Sequence, residues 1–224
     1  MSGPNDNAAA RLAAVKARIA QAAAVAGRDG DAIALVAISK THPAQAIALL
    51  IAAGQRLFGE NRVQEAAAKW PALRERCSGL ALHLVGQLQT NKAGDAVALF
   101  DAIHSLDRVR LVAALARAMD RTGRRPPCFV QVNIGAEPHK GGCAIAELPA
   151  LLVEARAAAI PLAGLMCVPP EGIEPAPFFA LLDKLAGDHG LVGRSMGMSG
   201  DFETAVQLGA THVRIGSALF GARA

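Results

Sequence analysis

Lys40 closes an apolar run, ALVAIS at 34–39, and is followed by Thr41, His42 and Pro43. Lysine is seldom buried unless something pairs with it, so an ammonium group at the end of a strand-like apolar run needs a reason. Two readings stand side by side. The amine either reaches out to solvent from the strand end, or it sits in an apolar mouth. There a lysine amine gives up its proton more readily and becomes a nucleophile toward aldehydes, forming a Schiff base. A second constellation lies near the other end of the chain. Ser195-Met196-Gly197-Met198-Ser199-Gly200 and Arg214-Ile215-Gly216-Ser217 each run into a helix start, at 201–203 and 218–220. Small residues, hydroxyls and free N–H groups at such a start bind phosphate. The same residues also serve as plain turns and caps.

The elements that must position these groups alternate along the chain. An opening helix spans 7–26 and ends at Gly27. Strands are expected at 33–39, 56–59, 81–85, 102–105, 128–133, 162–168, 194–198 and 212–215, with helical spacing between them, as in Val109, Val112, Leu115 and Met119. Eight strands with intervening helices match a (β/α)8 TIM barrel preceded by an extra N-terminal helix, as one domain over 1–224. A doubly wound open sheet is the alternative. In a barrel, active sites gather at the C-terminal rim, and the loops after strands seven and eight commonly hold phosphate. Lys40 ends strand one on that rim. A lysine for an aldehyde and a cradle for a phosphate together point to pyridoxal 5′-phosphate.

Composition narrows the remaining classes. The 224 residues are 52% hydrophobic and 19% charged, which suits a packed domain rather than a disordered chain. The net charge is +4, but aromatics make up only 4% and the longest basic cluster is Arg124-Arg125, so no stacking platform for nucleic acid is expected. No apolar run is long enough to span a bilayer, and the N-terminus lacks a basic patch followed by an apolar block. Cys77, Cys128, Cys143 and Cys167 are widely separated, which suits reduced thiols and a cytoplasmic location. Tyrosine is absent.

The sequence resembles the pyridoxal phosphate homeostasis protein family over nearly its whole length. The resemblance rests on VAISKT at 36–41, FGENRVQE at 58–65, HLVGQLQTNK at 83–92, VQVNI at 130–134 and GLM at 164–166. It continues through SMGMSGD at 195–201, VRIG at 213–216 and FGAR at 220–223. The family is similar to the barrel domain of alanine racemase and of related basic amino-acid decarboxylases, without their additional β domain. The resemblance implies that Lys40 holds the cofactor as a Schiff base and that Ser199, Gly216 and Ser217 hold its phosphate. It places Arg214 facing the pyridine nitrogen, with Asn61, His83, Asn133 and Met166 at strand ends around the ring; plain packing is an equal reading for these last four. Ser217 stands where a threonine is commoner, His42 where a second lysine is frequent, and Leu82, Gln87 and Arg194 replace a usual tryptophan, proline and leucine. Lys140 matches a lysine of the family's loop after strand five.

The function that the resemblance implies is intracellular buffering or delivery of pyridoxal phosphate, with PLP-dependent apoenzymes as recipients and no turnover by the protein itself. Two other functions use the same amine: an amino-acid racemase or lyase dependent on the same cofactor, and a Schiff-base aldolase acting on a phosphorylated sugar.

Overall fold

The computed structural model describes residues 4–221, and side chains from residue 7. Ala222 and Arg223, at the end of the last block of resemblance, lie outside the described residues. Helix α1 (Pro4–Val25) precedes the repeating units. The strands are β1 (Ala34–Ile38), β2 (Leu57–Glu60), β3 (Ala81–Leu84), β4 (Ala102–Leu106), β5 (Cys128–Gln131), β6 (Leu162–Met166), β7 (Gly193–Ser195) and β8 (His212–Ile215). Between and after them run α2 (Ala44–Ala52), α3 (Val63–Arg76), α4 (Ala93–Leu99), α5 (Val109–Thr122), α6 (Leu148–Ala157), α7 (Ala176–Asp188), α8 (Phe202–Gln207) and α9 (Ser217–Phe220).

All eight strands are parallel and close into a barrel, in sequence order. Closure is made by β8 against β1, in register from Ala34 opposite His212 to Ala37 opposite Ile215. That pairing removes the open-sheet alternative, because an open sheet would leave both edge strands unpaired. A strand covered on both faces carries no polar alternation, which is why β1 reads as an unbroken apolar run.

Successive side chains on each strand point alternately outward to the helices and inward to the barrel axis. The outward set makes the larger apolar layer: Phe58, Leu82 and Leu84 are fully buried, and Trp70 of α3 tilts against Phe58 with ring centroids 5.2 Å apart. Each such side chain contributes about 1.5–3 kcal/mol by leaving water. Helix α5 shows the sorting well. Leu111, Val112, Leu115 and Met119 are buried on one face, Arg110, Arg117 and Arg121 are exposed on the other, and Gly123 at φ 67° ends the helix in the left-handed conformation that glycine tolerates.

Two inward positions admit no side chain. A Cβ on Gly59 would come within 2.7 Å of Ile38 Cδ1, and one on Gly193 within 2.6 Å of Phe129 Cε1. The strands also end earlier at the C-terminal rim than the apolar runs suggest: β5 stops at Gln131, β6 at Met166 and β7 at Ser195. The chains splay there, keeping single bonds such as Val132 N–H to Met166 O (2.8 Å) and Cys167 N–H to Ser195 O (3.2 Å). Splaying opens a mouth. Among the described residues no helix is long and apolar enough to cross a membrane.

Candidate functional site

The mouth is a cleft of about 640 Å³, within the range of small-molecule sites. Lys40, Asn61, Ser199, Arg214, Gly216 and Ser217 all line it. Lys40 leaves the end of β1 on a strained turn, since the next residue, Thr41, has φ 65°. A β-branched residue in that region is a true outlier that its surroundings must impose. Here the Thr41 N–H donates to Glu65 Oε1 at 2.6 Å, and the Thr41 hydroxyl to the Lys40 carbonyl at 2.6 Å.

Behind the turn, Lys69 of α3 acts as a clamp. Its ammonium lies 2.8 Å from Glu65 Oε1, 2.8 Å from Glu60 Oε1, 3.1 Å from the Ser39 carbonyl and 3.3 Å from the His42 carbonyl. Burial pushes the Glu65 carboxyl up, but the Lys69 and Thr41 hydrogen bonds, with attraction to Lys69 and Arg62, outweigh it and hold the group below the usual range. Glu60 is fully buried, taking Ser39 Oγ–H at 2.7 Å and the Trp70 indole N–H at 3.2 Å on the same oxygen. The segment carrying Lys40 is thus held from the helix side, while Lys40 itself lines the cleft.

On the neighbouring strand β8, Arg214 is 5% exposed and forms no ion pair among the described residues. Its Nη1 donates to Ser195 Oγ at 2.7 Å and its Nη2 to the Cys167 carbonyl at 2.8 Å. Burial lowers its pKa, partly offset by attraction to Cys167 and Asp201. A buried cation without an ion-pair partner suits an electron-rich group. Beside it, the Gly216 N–H donates to Ser199 Oγ at 3.3 Å, tying the loop after β7 to the start of α9. The first turn of a helix leaves further N–H groups without intrahelical acceptors, and Ser217 is exposed at that point.

Three sequence-stated residues do not line the cleft. Met166 is 1% exposed at the end of β6. Asn133 bonds within its own loop, to Glu137 N–H and carbonyl, at 3.1 and 2.8 Å. His83 faces into the barrel, its Nδ1 2.9 Å from His104 Nε2. With His212 these form a buried imidazole cluster whose ring centroids lie 4.9 to 6.0 Å apart. Burial, with His212 nearby, lowers His83 to about 3; burial, with Arg214 nearby, lowers His212 to about 4; His104 lies well below its ordinary value for the same reasons.

These shifts carry a pH dependence. Between the ordinary histidine value of about 6.5 and these lowered values, the unfolded chain binds protons that the folded chain refuses. Stability is therefore full above about pH 6.5 and falls as the pH drops toward 4. The urea midpoint should fall between pH 7.5 and 5, and His212→Leu should flatten part of that slope. An identical slope in the variant would remove His212 from the account.

The comparisons with known proteins follow the same lines. The alanine racemase N-terminal domain profile matches residues 10–224. A pyridoxal phosphate homeostasis protein of Pseudomonas aeruginosa is 43% identical over 223 residues, spanning 96% of this chain and 95% of its own. The chain belongs to the pyridoxal phosphate homeostasis protein family. Among solved structures, PipY of Synechococcus elongatus without the cofactor superposes with a TM-score of 0.87 at 39% identity, covering 95% of this chain and 99% of PipY. PipY has also been solved with pyridoxal phosphate bound, with a TM-score of 0.83 at 38% identity over 96% of this chain and all of PipY. Alanine racemase of Bartonella henselae, at 14% identity and a TM-score of 0.73 over 97% of this chain and 59% of its own, shares the barrel fold.

Leu82, Arg194 and Gln87 sit apart from Lys40 and the Ser199–Gly216 contact. Leu82 is packed in the outer layer, Arg194 pairs with Asp183 at 2.8 Å, and Gln87 donates to Gln131 Oε1 at 2.6 Å. His42 does line the cleft, stacked on Phe220 with ring centroids 4.2 Å apart. Lys140 pairs with Glu137 at 2.7 Å and donates to the Pro169 carbonyl at 2.8 Å. Residues missed in the sequence are Lys69, Glu60, Glu65, Ser195 and His104. Residue spacing carried one signal for them: Ser195 lies two after Gly193, and His104 two after Ala102, so each shares a strand face with a neighbour on the barrel axis.

Proposed function

We propose that this protein binds pyridoxal 5′-phosphate and buffers it or delivers it to PLP-dependent apoenzymes in the cytoplasm, with no metabolic turnover of its own. The observation that carries this is convergence: Lys40, Arg214 and the Ser199–Gly216–Ser217 rim meet in one cleft. The names of the full-length relatives and the cofactor-bound PipY support the same reading. Pyridoxal phosphate, when bound, supplies an aldehyde that a lysine amine can hold as a Schiff base and a pyridine ring that can accept electrons. Lys40 would hold the aldehyde end. Ser199, Gly216 and Ser217 would hold the phosphate, and Arg214 would donate a hydrogen bond to the ring nitrogen.

The residues fit that group. The buried guanidinium forms no ion pair among the described residues, and it stays protonated at working pH, so it leaves an acceptor nitrogen unprotonated. Asn61 lines the same cleft. Proton transfer on opposite faces of a substrate needs an acid or base on each side. The chain has no tyrosine. Burial pushes Cys128, Cys143 and Cys167 up to about 12, which keeps these thiols protonated. Besides Lys40 and Arg214, the titratable side chains lining the cleft are His42 and Glu171.

The test is to purify the protein, record its absorption spectrum before and after borohydride, and then supply L-alanine, L-lysine and L-serine. Cofactor should co-purify, and product should form far below about 1 per second. Turnover near that rate, lost in Lys40→Ala, would replace the carrier reading with a racemase or lyase.

A further inference from the structure

Branched aliphatic side chains usually fill the inside of such a barrel, yet here three imidazoles occupy it. Two of them, His104 and His83, are joined to the cleft by one continuous chain of contacts: Arg214 Nη1 to Ser195 Oγ at 2.7 Å, Ser195 Oγ to His104 Nδ1 at 2.8 Å, and His104 Nε2 to His83 Nδ1 at 2.9 Å. Ser195 and His104 are fully buried, and Phe129 stacks on His104 with centroids 4.2 Å apart.

The donor inventory gives this chain a direction. A guanidinium only donates, so Ser195 Oγ accepts from Arg214. The hydroxyl has one proton, and among the described residues its only other contact is His104 Nδ1. Were His104 to donate there, the serine proton would be buried without an acceptor, which folded proteins avoid. Ser195 therefore donates to Nδ1, neutral His104 carries its proton on Nε2, and it donates to His83 Nδ1. A protonated His104 would break the chain and set a second cation near Arg214. Burial, with His83, His212 and Arg214 facing it, keeps His104 neutral.

We propose that His104 is a positioning residue: by accepting the Ser195 O–H hydrogen bond, it holds the serine oxygen toward Arg214 and fixes the guanidinium plane, with the remaining guanidinium N–H groups turned to the cleft. Two anchors from different strands, Ser195 and the Cys167 carbonyl, set that plane. What Arg214 faces rests on the pyridoxal phosphate reading; the direction of the chain does not.

Two arms test this. In the protein without cofactor, nitrogen-15 NMR of labelled histidine should show His104 and His83 as neutral Nε2–H tautomers, without titration from pH 5 to 8. An Nδ1–H tautomer at His104, or titration in that window, overturns the proposal. In the second arm, Ser195→Ala and His104→Leu should each weaken pyridoxal phosphate binding about tenfold, the scale of one hydrogen bond to a charged group. Unphosphorylated pyridoxal should lose the same factor, because the ring end is common to both ligands. His104→Asn, which places a carbonyl oxygen near the Nδ1 position, should stay within about threefold of the parent. Affinities unchanged in both Ser195→Ala and His104→Leu overturn it. Where a variant fails to fold, the NMR arm alone decides. If the parent binds no pyridoxal phosphate, the cofactor reading falls while the tautomer result still stands or fails by itself.

Discussion

Lys40→Ala should abolish the visible absorption of the bound cofactor and any borohydride-stable label, while leaving the barrel folded. Five other lysines are present, Lys16, Lys69, Lys92, Lys140 and Lys184, and none of them lines the cleft. Lys69, Lys92, Lys140 and Lys184 lie in ion pairs with Glu60 and Glu65, Asp95, Glu137 and Asp188 respectively, and Lys16 is exposed on α1. An amine engaged with a carboxylate outside the cleft is not placed to meet an aldehyde bound within it. The Lys40 amine has no hydrogen bond or ion pair among the described residues. Its loss should therefore shift stability by no more than about 0.5 kcal/mol, as for surface positions without such contacts. The measurements are absorbance, peptide mapping after borohydride, and a urea titration of both proteins. A label mapped mainly to Lys140 or Lys69 would move the covalent site.

The second large effect concerns the phosphate. Ser199→Ala combined with Ser217→Ala should weaken pyridoxal phosphate binding at least tenfold, because each hydrogen bond to a charged acceptor contributes roughly 1.5–3 kcal/mol. The structure adds a reason for the pair to act together. Ser199 Oγ already accepts the Gly216 N–H, so its own proton is free to turn to the cleft while it holds the start of α9 in place. Removing it loosens the loop and deletes a donor at once. Unphosphorylated pyridoxal should bind the parent poorly and be little affected by the double change. Calorimetric titration of both ligands measures this. Equal affinity of the parent for the two would put the phosphate contacts elsewhere.

Much of the architecture was legible in the chain itself. Unbroken apolar runs such as 34–38 occur where a strand is covered on both faces, and their alternation with helical segments implied a parallel α/β fold. Lys40, Ser199, Arg214, Gly216 and Ser217 were also legible, because residues at the end of a run fall on the C-terminal rim whatever the details of packing. The rim constrains position strongly. It says less about neighbours: His83, at a strand end, was read toward the ring pocket, but it hydrogen-bonds to His104 within the barrel.

Only the tertiary structure decided closure, inward parity and the polar interior. Closure depends on β8 meeting β1, a contact between residues about as far apart as the chain permits, and no local pattern encodes it. Parity was hidden because a strand buried on both faces shows no hydrophobic alternation. Once parity is known, His83, His104, Ser195 and Arg214 turn to one axis from four strands far apart in sequence. The Lys69 clamp was hidden for a similar reason. A lysine on a helix reads as solvated, until Glu60, Glu65 and the Ser39 and His42 carbonyls are brought around it. Sequence by itself placed Lys40 and the rim residues at the mouth, since strand ends are a local property. Folding alone brought together the groups that hold them, since hydrogen bonds between distant residues exist only after the barrel has closed.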